Sequence, residues 1–133
     1  MIVVDASAAV AFIVDNGRVG EFLSATIETH EIAYPSLMPF EVAHVLRRLC
    51  LNNVIDQRLA QTALGEAAGF RGQVFEFADL ANRIWQLRNN LTAYDAAYVA
   101  LAELIDVPLL TLDTRLMAAP GVRCRFVEVP GVA

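Results

Sequence analysis

Asp5, Glu41, Asp95 and Asp113 are acids in places that do not favour them. Ile2-Val3-Val4 runs into the first, Met38 to Phe40 and Val42 surround the second, Ala96-Ala97 follows the third, and Leu109 to Leu112 leads to the fourth. A carboxylate with no nearby cation is costly to bury. Four such positions suggest one shared compensating charge. A hard divalent cation such as Mg²⁺, which takes oxygen ligands, meets that need. The matching chemistry is phosphodiester hydrolysis, because a metal ion lowers the pKa of bound water and neutralises phosphate oxygens. Asp5 and Asp95 are the first candidates for ligands, directly or through water. Glu41 and Asp113 would complete the site, orient water or hold a second ion.

Each acid also has a local explanation. Asp5 can cap a helix starting at Ala6, and Asp113 one starting at Thr114. Thr92-Ala93-Tyr94-Asp95 fits an acidic variant of the capping box. Capping and ligation are compatible at all three. Glu41 has no Arg three or four residues on; its one local polar partner is His44, which could form a surface pair with it or serve as a general base. Ser7, Thr92 and Thr111 are hydroxyls near the acids that could orient water or only cap and pack. Arg115 could contact a phosphate or simply be solvated. Trp85, Phe12 and Phe40 read as core or interface aromatics.

The elements that must position these residues alternate in type. Ile2 to Val4 reads as a buried strand, Ala6 to Val14 as an apolar helix closed by Asp15-Asn16-Gly17, and Arg18 to about Thr29 as a second helix. Glu31 to Tyr34 is a strand stopped by Pro35. Ser36 to about Asn52 is a helix with Ser36 as its N-cap and Pro39 in its first turn. Asp56 caps a helix to Ala68, Gly69 to Gly72 is a loop, and Gln73 to Phe77 is a weaker strand. Ala78 to Asn90 and Thr92 to Ile105 are helices, the second apolar almost all round and so buried. Val107 to Leu112 is a strand, Thr114 to Ala119 a short helix, and Arg125 to Val129 a final strand. This alternation predicts an α/β fold with a central, mainly parallel sheet flanked by helices, as one domain over residues 1–133. Ligand sites in such sheets lie beyond the carboxyl ends of the strands, where all four acids could converge.

Composition narrows the chemistry further. The chain has 133 residues, 56% of them hydrophobic, which suits a dense core and argues against disorder. Its net charge of −5 would normally disfavour nucleic acid. With the four special acids set aside, however, the remaining acids and the 10 basic residues nearly balance. Every basic residue is Arg, so a catalytic lysine is excluded. Cys50 and Cys124 lack metal-site spacing and read as reduced thiols, which fits a cytoplasmic location. No signal peptide or membrane span is expected.

At these residues the sequence resembles the PIN-domain ribonucleases, and specifically the VapC toxins of type II toxin–antitoxin pairs. The resemblance is carried in order by Val4-Asp5-Ala6-Ser7, Pro39-Phe40-Glu41-Val42, Leu91-Thr92-Ala93-Tyr94-Asp95-Ala96-Ala97-Tyr98 and Leu110-Thr111-Leu112-Asp113-Thr114-Arg115. It implies a PIN-like three-layer fold and a Mg²⁺- or Mn²⁺-dependent endoribonuclease that forms a homodimer and is neutralised by a VapB-type antitoxin. It also implies that Asp5, Glu41, Asp95 and Asp113 form the acidic quartet, with Ser7 and Thr111 at accessory hydroxyl positions. Some relatives carry a further acid after the last aspartate; here Thr114-Arg115 follows, and the number of ions stays open. An arginine from the antitoxin could enter the acidic pocket, because guanidinium pairs with carboxylate bidentately. The helices from Ser36 to Ala68 could offer that chain an apolar groove, or simply pack the core.

Three rivals share these features. A phospho-acceptor domain or phosphatase also gathers acids at a sheet end, but such proteins usually need a lysine. A PIN-like module could bind without cutting. A nuclease acting on DNA would use the same metal chemistry. For an RNA substrate, single strands or loops are the expected target.

Overall fold

The computed structural model describes residues 1–132. Four parallel strands form one sheet in the order β3-β2-β1-β4. They are β1 (Ile2–Val4), β2 (Ile32–Pro35), β3 (Gln73–Phe75) and β4 (Leu109–Leu110). Val3 is in register with Ala33 on one side and Leu109 on the other, so β1 lies inside the sheet. β1, β2 and β4 are buried throughout, which is why they read as unbroken apolar runs.

Among the described residues seven helices cover the sheet: α1 (Ala6–Val14), α2 (Arg18–Glu28), α3 (Met38–Leu51), α4 (Gln57–Ala68), α5 (Phe77–Gln86), α6 (Ala93–Ile105) and α7 (Thr114–Met117). Strand order runs outward from β1 to β3, then returns to the other side of β1 for β4. Right-handed crossovers put α1–α4 and α5–α6 on opposite faces of such a sheet. The packing divides the same way: α1 meets α2, α3 and α4, whereas α6 lies along β1, β2 and β4 with α5 against it. This is the three-layer α/β architecture expected from the sequence. Residues Ala96 to Ala102 of α6 are all buried, as its all-round apolar character requires. At the α1–α2 turn the backbone passes so closely that a Cβ on Gly20 would lie 1.9 Å from the Asp15 carbonyl oxygen.

Several boundaries differ from the sequence reading. Ser36 is not the cap of α3. Its N–H donates to the Phe75 carbonyl at 2.9 Å, extending the β2–β3 ladder, and the helix starts at Met38 without a side-chain cap. β2 includes Pro35 rather than stopping before it. α5 ends at Gln86, not Asn90: Arg88 and Asn90 donate three residues back, to Trp85 and Leu87, winding the chain into tight turns. β4 is only two residues long because the amides of Leu112 and Asp113 bond to the Ser7 and Thr111 hydroxyls instead of a strand. The final strand is reduced to one parallel bridge between Leu109 and Phe126. Phe40 and Trp85 are 80% and 67% exposed and lie outside this chain's core, whereas Phe12 packs edge-on against Phe70.

Candidate active site

The reversal of strand order occurs between β1 and β4, and their carboxyl ends open the crevice where open α/β sheets hold ligands. Asp5 follows β1 directly and caps α1, its Oδ1 accepting from the Ala8 N–H at 2.9 Å and from the Ser7 hydroxyl at 2.7 Å. Its Oδ2 accepts from the Thr111 hydroxyl, which comes from the end of β4. Asp5 is only 5% exposed. Burial pushes its carboxyl up to about 6, against the opposing pull of the Thr111, Ser7 and Ala8 hydrogen bonds, and the charge of Asp113 adds to the rise.

Thr111 and Ser7 knit the two strand ends together. Thr111 is fully buried, donates to Asp5, and accepts from the Asp113 N–H at 3.0 Å. The Ser7 hydroxyl donates to Asp5 and accepts from the Leu112 N–H at 3.0 Å. Two of the three hydroxyls singled out in the sequence, Ser7 and Thr111, therefore fix Asp5 as well as the backbone leading to Asp113.

Asp113 caps α7 through the amides of Arg115 and Leu116. Thr92 caps α6 by accepting from the Asp95 N–H at 3.2 Å, which seats Asp95 in the first turn. Asp113, Asp95, Thr92 and Arg115 line one cleft of about 360 Å³. Burial, followed by the charge of Asp113, raises the Asp95 carboxyl above its usual range; the Thr92 hydroxyl and Arg115 oppose the rise. Arg115 stands 3.9 Å from Asp113 with a side chain 94% exposed.

Glu41 is partly buried near the start of α3, and burial lifts its carboxyl too, with the charge of Asp95 adding to the effect. It does not hydrogen-bond His44, whose charge only mildly opposes the rise. Its partner is Tyr98, whose hydroxyl donates to Oε1 at 2.5 Å. Tyr98 is 2% exposed, and its phenol is held far above the usual range by burial, by its bond to Glu41, and by the charges of Glu41 and Asp5. Sequence reading gave Tyr98 no role. The available signal was its spacing, one turn after Asp95 on the same face of α6.

The four acids are therefore electrically linked: Asp5 with Asp113, Asp113 with Asp95, and Asp95 with Glu41. The donors are all oxygens, which suits a hard cation. Among the described residues, no three His, Cys, Asp or Glu side chains stand close enough to hold an ion between them.

A PIN-domain family profile matches residues 2–122. Ribonuclease VapC1 of Mycobacterium tuberculosis is 41% identical over 125 residues, spanning 93% of this chain and 94% of its own. This chain belongs to the PIN-domain family, among its VapC members. Two solved structures share the PIN fold. Mycobacterium tuberculosis VapC20, described as a sarcin–ricin loop cleaving toxin, has a TM-score of 0.70 at 20% identity, over 97% of this chain and 98% of its own. VapBC2 from Rickettsia felis, solved with a promoter DNA fragment, has a TM-score of 0.66 at 15% identity, over 96% of this chain and 100% of the matched chain. Among the described residues of this PIN-domain protein, no helix is long and apolar enough to cross a membrane, and both cysteines are free thiols.

Proposed function

We propose that this chain, as one PIN domain over residues 1–133, is a metal-dependent endoribonuclease and the toxin of a VapBC-type pair. What supports the reading most is the chain of coupling from Asp5 to Asp113, Asp113 to Asp95 and Asp95 to Glu41, with Asp95 and Asp113 lining one cleft and Asp5 held after β1 by Thr111 from the end of β4. Membership of the VapC family supports ribonuclease activity, since the 41% identical relative is a ribonuclease.

Asp5 and Asp95 are the residues that would hold Mg²⁺ or Mn²⁺, with Glu41 and Asp113 completing the site. When bound, the ion offsets phosphate charge and acidifies water. The chain's own residues prepare that site. Ser7 and Thr111 fix both oxygens of Asp5. Tyr98 occupies Oε1 of Glu41, and the second oxygen is left to meet water or substrate. Arg115, exposed at the rim beside Asp113, can pair with a backbone phosphate.

A VapB-type antitoxin is the proposed partner. A 440 Å³ cleft between α3 and α4, lined by Leu46, Leu51, Ala60 and Leu64 with Arg47, suits the apolar face of a helix. An arginine reaching the carboxylates would block substrate entry. Homodimerisation belongs to the same reading, with exposed Phe77 and Trp85 on α5 as candidate contacts.

The test is cleavage of a single-stranded RNA pool beside DNA of the same sequence, with Mg²⁺ or with EDTA. Metal-dependent cuts in RNA alone support the proposal. Cuts in DNA alone would replace it with a DNA-directed nuclease, and binding without cuts with a non-catalytic module.

A further inference from the structure

Resting on the ribonuclease reading, we infer that Phe40 and Tyr94 form a stacking site for an unpaired base next to the scissile phosphate. Each aromatic residue directly precedes one of the four acids: Phe40 before Glu41, Tyr94 before Asp95. Both are strongly exposed, Phe40 at 80% and Tyr94 at 64%. Both line one cleft of about 420 Å³ whose other walls are Leu37, Glu41 and His44. A carboxylate assigned to phosphodiester cleavage thus shares a cleft with two exposed rings that come from different helices, α3 and α6.

An exposed aromatic ring in water gains little from its position, so the pair calls for an occupant. The cleft's chemistry selects among the candidates. Glu41 ties it to the site where the phosphodiester must sit, so whatever fills it adjoins the nucleotide being cut. Bases flanking a cut in single-stranded RNA are free to splay out and stack on aromatic side chains. Stacking is tolerant of sequence because every base has a π face. His44, exposed on the same wall, adds a ring nitrogen that can meet a base edge. Such a site would favour unpaired over paired RNA, because a base held in a duplex cannot enter.

A protein occupant is the competing use of these rings. Phe40 also borders Pro39, Leu64 and Ala67, and Tyr94 also borders an apolar pocket with Phe77 and Ile84. The test separates the two. Wild type, Phe40→Ala, Tyr94→Ala and Tyr94→Phe are compared in three measurements. These are KM and kcat for cleavage of a single-stranded RNA oligomer with Mg²⁺, fluorescence quenching of the same oligomer carrying 2-aminopurine with Ca²⁺ in place of Mg²⁺, and sedimentation velocity. The expected result is a KM raised about five- to fiftyfold in each Ala variant, the loss of one stacked ring. kcat should change less, quenching should be lost, and sedimentation should match wild type, with Tyr94→Phe near wild type throughout. Cleavage with unchanged KM and quenching overturns this inference alone. An altered oligomeric state in the Ala variants overturns it in favour of a protein contact. A wild-type chain that neither cuts nor binds the oligomer overturns both this inference and the nuclease reading.

Discussion

The Thr111 hydroxyl, at the end of β4, donates a hydrogen bond to Oδ2 of Asp5, at the end of β1. It ties adjacent strand ends together inside the core, where no water can substitute for it. Thr111→Val keeps the shape and removes the donor. It should destabilise the protein by about 1.5–3 kcal/mol near neutral pH, the range for a hydrogen bond to a charged group. With that bond gone the Asp5 carboxyl rises further, so the acidic limb of the pH–rate profile should move to higher pH. Thr111→Ser should behave like wild type. Denaturant unfolding and a pH–rate profile check both statements.

Asp5 sets the pH dependence of the metal-free protein. Its carboxyl is raised from an ordinary 3.8 to about 6. Between those values the folded chain keeps a proton that the unfolded chain has released. Stability should therefore fall as pH rises through that window and stay lower above it. Glu41 and Asp95 are raised as well and act in the same direction. Asp5→Asn removes the titrating carboxyl and one of the two acceptor oxygens together, so the unfolding free energy should lose most of its pH dependence in that window while cleavage is abolished. Urea unfolding of both forms with EDTA measures the first effect.

Metal should reverse this trend. Protons compete with a cation for the carboxylates, so Mn²⁺ affinity should weaken steeply as pH falls through about 6. The rise in Tm on adding Mn²⁺ should be large near pH 7.5 and small near pH 5, and absent from Asp5→Asn at both. Thermal scans with and without the ion read this directly.

Tyr98→Phe isolates the orienting role of the phenol on Glu41. The ring stays packed and only the donor is lost, leaving Glu41 free to rotate. Folding stability should change by about 1–2 kcal/mol. The rate at saturating metal should fall by about tenfold or more, the scale of a misplaced catalytic group. Calorimetric titration with Mn²⁺ gives a second readout that simple destabilisation would not shift.

A contrasting set of residues has no link to the site. Arg83 pairs with Glu103 at 2.7 Å, both side chains mostly buried, and also donates to the Gly121 carbonyl, while Glu103 accepts from the Arg123 N–H. Glu103→Gln should cost about 1–3 kcal/mol of stability, because it strands part of a buried charge network. The metal concentration for half-maximal cleavage should stay unchanged.

What the sequence made legible follows from physical range. Asp5 stands directly after an apolar strand and Asp113 closes the apolar run that begins with β4, so their place at a sheet end is a local property and could be read off the chain. Asp95 was legible from Thr92 and the buried helix behind it. Tyr98 was not: its spacing from Asp95 places it on the same helix face, but its partner Glu41 lies 57 residues away and that contact is tertiary. For Phe40 and Trp85 the choice between core and interface could not be read from the chain, because an aromatic residue has the same identity in a core as on an open face; their exposure sets aside the core alternative. The end of β4 shifted because side chains of the site capture its backbone amides, a tertiary effect that strand propensity does not contain.

The proposed function rests on these four carboxylates making a metal-dependent ribonuclease. The most direct measurement is cleavage of total cellular RNA by the purified, antitoxin-free chain, with Mg²⁺ or Mn²⁺ against EDTA, beside Asp5→Asn and Asp113→Asn, with new ends mapped by sequencing. Discrete cuts that need the metal and vanish in both variants are the expected result. Equal cleavage by wild type and folded variants, or none by a wild-type chain shown to bind the metal, would contradict it.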